Sequence, residues 1–128
     1  MNRVIDASVI LAIMLGERGA AEAEAELVLE GSLISTVNLS EIYRKLVDGG
    51  LSIDVAVEQV ERFRLKSVPF DDAQAAEAAR LRPLTRHFGT SFADRACLAL
   101  ARLRDMTVYT ADRKWALLEL GLDIRLIR

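Results

Sequence analysis

Short apolar runs alternate with longer amphipathic stretches along this chain, and that alternation leaves few folds open. Residues 2–5, 33–35, 67–70, 106–109 and 124–127 read as strands, too short for helices and rich in Val, Ile, Tyr and Phe. Between them the spacing predicts helices over 7–15, 20–30, 38–48, 53–64, 71–81, 91–104 and 112–120. Gly16, Gly31 and the pair Gly49-Gly50 supply stops. The helix at 38–48 places Leu39, Ile42, Tyr43, Leu46 and Val47 on one face, and 53–64 carries Val57, Val60 and Phe63. Residues 82–90, with Pro83, His87 and Gly89, read as a loop. Pro69 puts the third strand near a sheet edge. Strands that alternate with helices build βαβ units, so the fold class is α/β, with a mostly parallel sheet of about five short strands covered on both faces.

At 128 residues the chain reads as a single domain, 1–128. A chain of this length buries roughly two-thirds of its unfolded surface and needs no staple. A single cysteine, Cys97, excludes a disulfide framework and a CxxC zinc site, and its neighbours Ala96 and Leu98 mark it as a small buried hydrophobe. No run reaches the roughly 18 apolar residues of a membrane span, and the stretch from Val9 to Leu15 follows an acid and is too short for a signal peptide. The cytoplasm is the expected compartment. The net charge of −2 argues against a general nucleic-acid binder. It hides an asymmetry: residues 1–60 hold 4 basic and 10 acidic side chains, residues 61–128 hold 13 and 9. Of the basic residues 14 are arginine, whose planar fork suits phosphate, so the split permits RNA binding without requiring it.

Four acids stand where a strand gives way to a helix: Asp6, Glu41, Asp94 and Asp112. Each has a bland explanation. Asp6 suits an N-cap. Asn38 and Glu41 fit a capping box, and Glu41 also has Arg44 and Lys45 within a helical turn. Ser91 and Asp94 form a similar box, and Asp112 fits a cap through Trp115. Capping does not require four acids at the carboxyl-end edge of one sheet, which is where open parallel sheets place their sites. Anions gathered there raise one another's pKa unless a cation neutralises them. A hard divalent ion, Mg²⁺ or Mn²⁺, suits such a donor set; zinc more often recruits His or Cys. Ser8 and Thr110 stand beside Asp6 and Asp112, with hydroxyls suited to a metal-bound water or a substrate phosphate.

These residues carry a resemblance. Val4-Ile5-Asp6-Ala7-Ser8, Asn38-Leu39-Ser40-Glu41-Ile42-Tyr43, the segment from Ser91 to Ala101 and Val108-Tyr109-Thr110-Ala111-Asp112-Arg113-Lys114-Trp115 resemble, in order and spacing, the signatures of PIN-domain ribonucleases, and among them the VapC toxins of bacterial toxin–antitoxin pairs. The resemblance implies a three-layer α/β/α fold and a Mg²⁺- or Mn²⁺-dependent endoribonuclease. It places Asp6, Glu41, Asp94 and Asp112 at the acidic positions and Thr110 at a hydroxyl position near the metal. Ala93 stands where Gly or another small residue often precedes the third acid. It also implies a homodimer, an inhibitory antitoxin that covers the site, and tRNA or ribosomal RNA as target. The acidic stretch 20–30 and the apolar segment 53–63 are candidate partner surfaces.

On this reading Asp6, Asp94 and Asp112 hold the metal, and Glu41 binds it through water or orients the nucleophile. Arg95, Arg113 and Lys114 flank the site, where they suit substrate phosphates, and Arg86 and His87 are further candidates to touch RNA. One alternative is a catalytically silent PIN-like module that binds RNA or protein. Another is a phosphoacceptor domain using Asp71 or Asp72, which capping of the following helix explains equally well.

Overall fold

The computed structural model describes residues 3–17 and 29–127. In chain order the elements are β1 (Arg3–Ile5), α1 (Ala7–Met14), β2 (Leu33–Ser35), α2 (Thr36–Asp48), α3 (Ile53–Glu61), β3 (Lys66–Val68), α4 (Asp72–Thr85), α5 (Phe92–Arg104), β4 (Thr107–Thr110) and β5 (Ile124–Leu126). Short 3₁₀ turns at Arg86–Phe88 and Arg113–Leu117 precede α5 and follow β4. The helix expected over 20–30 falls almost entirely outside the described residues.

The five strands form one sheet in the order β3-β2-β1-β4-β5. Every pairing is parallel. Pro69 follows β3, which is an edge strand as expected. The chain winds outward from β1 to β2 and β3, then returns to the other side of β1 to add β4 and β5. The direction of winding therefore reverses between β1 and β4, the switch point where such sheets open a crevice.

Alternation along the strands splits the core in two. Val4, Leu33 and Val108 face one layer, where they pack with Ala78 and Leu81 of α4 and with Cys97 to Ala101 of α5. Ile5, Ile34 and Tyr109 face the other, against Val9 and Ile10 of α1, Ile42 of α2 and Val60 of α3. Helices thus cover both faces of an all-parallel sheet, giving the three-layer α/β/α arrangement.

Helix α3 ends at Glu61 rather than 64 and β3 spans Lys66–Val68 rather than 67–70; three further differences from expectation have visible causes. Helix α2 starts two residues early, because Ser35 and not Asn38 is its N-cap: the Ser35 Oγ accepts from Val37 N at 3.2 Å. Val47, expected on the buried face of this helix, is exposed. Helix α4 continues past Pro83 to Thr85. A proline so near the C-terminus removes a single ladder bond, and the Thr85 hydroxyl donates to Leu81 O at 2.8 Å. Within the segment 112–120 only Arg113–Leu117 is helical, as a 3₁₀ turn instead of an α-helix. Trp115, Leu118 and Leu120 all enter the α4–α5 core; an α-helix would rotate Leu120 away from the face shared by the other two, so burial overrides local propensity.

Leu98 is fully buried in this core, whereas Leu117 is 64% exposed. Leu98→Ala is expected to lower unfolding free energy by about 2–5 kcal/mol in a urea titration, and Leu117→Ala by less than about 0.5 kcal/mol.

Candidate metal centre

Asp6 is the first residue past β1. Its backbone N–H extends the ladder by donating to Tyr109 O at 3.0 Å. That bond fixes Asp6 beside the end of β4, and its side chain is only 4% exposed. The Ser8 and Thr110 hydroxyls both donate to Asp6 Oδ2, the latter at 3.1 Å. The two hydroxyl oxygens are themselves held by backbone donors: Ser8 Oγ accepts from Ala111 N at 2.9 Å and Thr110 Oγ1 from Asp112 N at 3.0 Å. The two hydroxyl oxygens stand 3.2 Å from each other, and all the protein hydrogen bonds to the Asp6 side chain fall on one oxygen.

Asp112 follows β4 across the switch point and caps the 3₁₀ turn through Oδ1, which accepts from Lys114 N at 3.0 Å, not from Trp115 as the helix expectation had it. Asp94 lies in the first turn of α5. It completes a reciprocal capping box, Ser91 N donating to Asp94 Oδ2 at 2.8 Å and Asp94 N to Ser91 Oγ at 3.1 Å. Glu41 projects from the second turn of α2. It is half-buried and makes no hydrogen bond or ion pair among the described residues; Arg44, its expected partner, bonds Asp48 at 3.1 Å instead. The capping box expected of Asn38 and Glu41 is therefore absent.

These acids share one electrostatic neighbourhood. Burial, opposed by the Ser8 hydrogen bond and reinforced by the charges of Asp94 and Glu41, raises the Asp6 carboxyl from 3.8 to about 6. Asp94 is raised too, first by burial and further by Asp112, while Ser91 and Lys114 oppose the shift. The Cys97 thiol, buried one turn beyond Asp94, is pushed well up by burial and then by Asp6, Asp94 and Glu41. The coupling acts through the field and not through contact: no three His, Cys, Asp or Glu side chains among the described residues form a ready-made metal cage.

The flanking cations are spread around this edge. Arg95 is half-buried, with NH1 donating to Thr90 O at 3.0 Å. Arg113 and Lys114 are exposed on the 3₁₀ turn, and Arg86 and His87 on the turn before α5. Asp71 caps α4, accepting from Gln74 N at 2.9 Å, and is thus used structurally. Sequence reasoning missed the place of Asn38. It is fully buried, and its Nδ2 donates to Ala93 O at 2.9 Å, joining α2 to the start of α5. Its Oδ1 has no partner among the described residues, a cost of about 1–3 kcal/mol. The signal lay in Ser35-Thr36, an equally good helix start three residues before the site expected.

The family model for the PIN domain matches residues 3–119. The chain belongs to the PIN-domain family. Its structure is similar to a chain of the DNA-bound VapBC complex from Salmonella typhimurium, with TM-score 0.75, 19% identity and coverage of 100% of this chain and 99% of that one. Similar too are FitAcB from Neisseria gonorrhoeae (0.69, 23%, covering 98% and 96%) and VapC20 from Mycobacterium tuberculosis, a sarcin-ricin loop cleaving toxin (0.74, 16%, covering 96% and 98%). At these identities the likeness is one of fold. No curated protein matches the chain.

The donor set of this PIN domain fits a hard cation. It is all oxygen, with no His or Cys able to compete except the buried thiol. Asp6, Asp94 and Asp112 each take protein hydrogen bonds on one carboxylate oxygen only, Oδ2, Oδ2 and Oδ1, and Glu41 takes none. Each aspartate is thus oriented through one oxygen with the other left to a ligand.

The raised Asp6 carboxyl has a consequence for stability without metal. The folded value of about 6 lies above the ordinary 3.8, so the folded chain holds this proton more tightly than the unfolded chain. The stability so gained is complete below about pH 3.8 and lost as pH rises through about 6, roughly 3 kcal/mol in all. In EDTA, Asp6→Asn is expected to abolish this part of the pH dependence between pH 4 and 6 and to raise the melting temperature above pH 6, as read by circular dichroism.

Proposed function

We propose that the chain is a metal-dependent endoribonuclease toxin that hydrolyses RNA phosphodiester bonds, with Mg²⁺ or Mn²⁺ as cofactor. The observation that carries this reading is the placement of Asp6, Glu41, Asp94 and Asp112 around the β1–β4 switch point, where burial first, and then the charges of Asp94 and Glu41, raise Asp6 to about 6. Asp6, Asp94 and Asp112 are the metal ligands, and Glu41 binds through water or orients the nucleophile. When bound, a divalent ion lowers the pKa of water and screens the charge that builds up on phosphate. Ser8 and Thr110 fix the rotamer of Asp6 through their hydroxyls and line the edge where substrate phosphate approaches. Arg95 and Arg113, with exposed Lys114 beside them, hold flanking phosphates.

The fold likeness to VapBC and FitAcB complexes supports a toxin neutralised by a cognate VapB-like antitoxin; the homodimer is carried over from the family resemblance. The likeness to VapC20, which cleaves the sarcin-ricin loop, supports structured RNA, rRNA or tRNA, as substrate. We place the activity in one PIN-like domain spanning 1–128, in the cytoplasm; no helix among the described residues is long and apolar enough to cross a membrane. The lack of a ready-made cage among the described residues favours a second reading, a catalytically silent module that binds RNA or protein.

The two readings diverge in one assay. With Mn²⁺ or Mg²⁺ the purified chain is expected to cut structured RNA, and EDTA to stop it. Asp94→Asn should reduce cleavage more than about 100-fold, yet keep its melting temperature within a few degrees, since the asparagine Oδ1 can still accept the Ser91 N–H bond of the capping box. Cleavage that survives both treatments sinks the metal mechanism; RNA binding with no metal-dependent product establishes the silent module.

A further inference from the structure

We infer that Asn38 is a positioning residue that sets Glu41 against Asp94 for the cation. The inference rests on the reading of the four acids as a metal centre. Asn38 is relieved of the capping duty its sequence position suggests, because Ser35 performs it. It is fully buried, and its Nδ2 donates to Ala93 O at 2.9 Å. Both ends of that bond are close to the acids. Glu41 lies three residues on in the same helix, on the same face; Ala93 is the residue immediately before Asp94. One hydrogen bond therefore ties the turn of α2 that leads to Glu41 to the turn of α5 that carries Asp94.

Stability alone does not account for an amide here. Asn38 Oδ1 is buried with no donor among the described residues, and a leucine, branched alike though bulkier, would remove that unmet oxygen together with the bond to Ala93 O, whose carbonyl faces the ordinary α-helical donor in any case. What leucine would not supply is the fixed spacing between the two acid-bearing turns. Glu41 depends on this more than the aspartates do. Asp6, Asp94 and Asp112 are each oriented by hydrogen bonds to their own carboxylates, whereas Glu41 has no such bond among the described residues and takes its place from its helix alone.

The test uses the full chain with Asn38→Leu and Asn38→Ser, the latter too short to reach Ala93 O. Thermal melting, Mn²⁺ titration by calorimetry and RNA cleavage kinetics are read side by side. Asn38→Leu is expected to fold, with overpacking offsetting part of the gain from losing the unmet oxygen, yet to bind Mn²⁺ about 10-fold more weakly, with kcat reduced and KM for RNA little changed. If the leucine variant does not fold, Asn38→Ser decides, with the same weakening expected. A folded variant that binds Mn²⁺ and cuts RNA at unmutated levels overturns the positioning role and leaves the metal centre standing. Failure of the unmutated chain to bind Mn²⁺ overturns both, and is seen without any variant.

Discussion

The site depends on the pairing of β1 with β4. Arg3, Val4 and Ile5 stand opposite Thr107, Val108 and Tyr109, and the ladder runs one residue further through the Asp6 N–H bond to Tyr109 O. That register sends Val4 and Val108 into one core and Ile5 and Tyr109 into the other. It also brings Thr110 level with Asp6. A shift of one residue would exchange the two faces of β1 and separate the hydroxyl from the carboxylate. Core packing and site geometry are therefore fixed by the same few backbone bonds, and the helices that bring Glu41 and Asp94 are docked on a sheet already set.

Helix starts perform two tasks at this edge. An aspartate at a helix start satisfies orphan backbone donors and meets the positive end of the helix dipole. Asp94 and Asp112 do so with one oxygen each, and Asp6 by accepting from Ser8 N. The local benefit offsets part of the cost of gathering like charges. It offsets least at Asp6, where burial is deepest and both Asp94 and Glu41 act on it, and Asp6 is the residue driven to about 6. The hydroxyls of Ser8 and Thr110 oppose that rise.

The order of strands and helices was legible because each strand is a short apolar run between helix formers, and parallel topology follows from that alternation. The capping box at Ser91 and Asp94 was legible for the same local reason. What failed were features decided by contacts distant in sequence. The α2 boundary turned on whether Ser35 or Asn38 capped, and the bond from Asn38 to Ala93, 55 residues away, settled it. The turn at 113–117 yielded to the joint burial of Trp115, Leu118 and Leu120. At the site, the acids and both hydroxyls could be named from the chain. That the hydroxyl protons point at Asp6, and that Arg44 turns from Glu41 to Asp48, depends on rotamers that no spacing encodes.

The caps have an evolutionary consequence. Asparagine replaces aspartate at a helix start with almost no loss of hydrogen bonding, and a single-nucleotide change converts one codon into the other. Three of the four acids can thus be neutralised one at a time while the sheet, both cores and any protein-binding surface persist. On the proposed function, a lineage freed from selection for cleavage would drift toward stable, non-cutting copies whose folded surface is unchanged. Glu41, which caps nothing, is the position where such drift would meet no structural resistance at all.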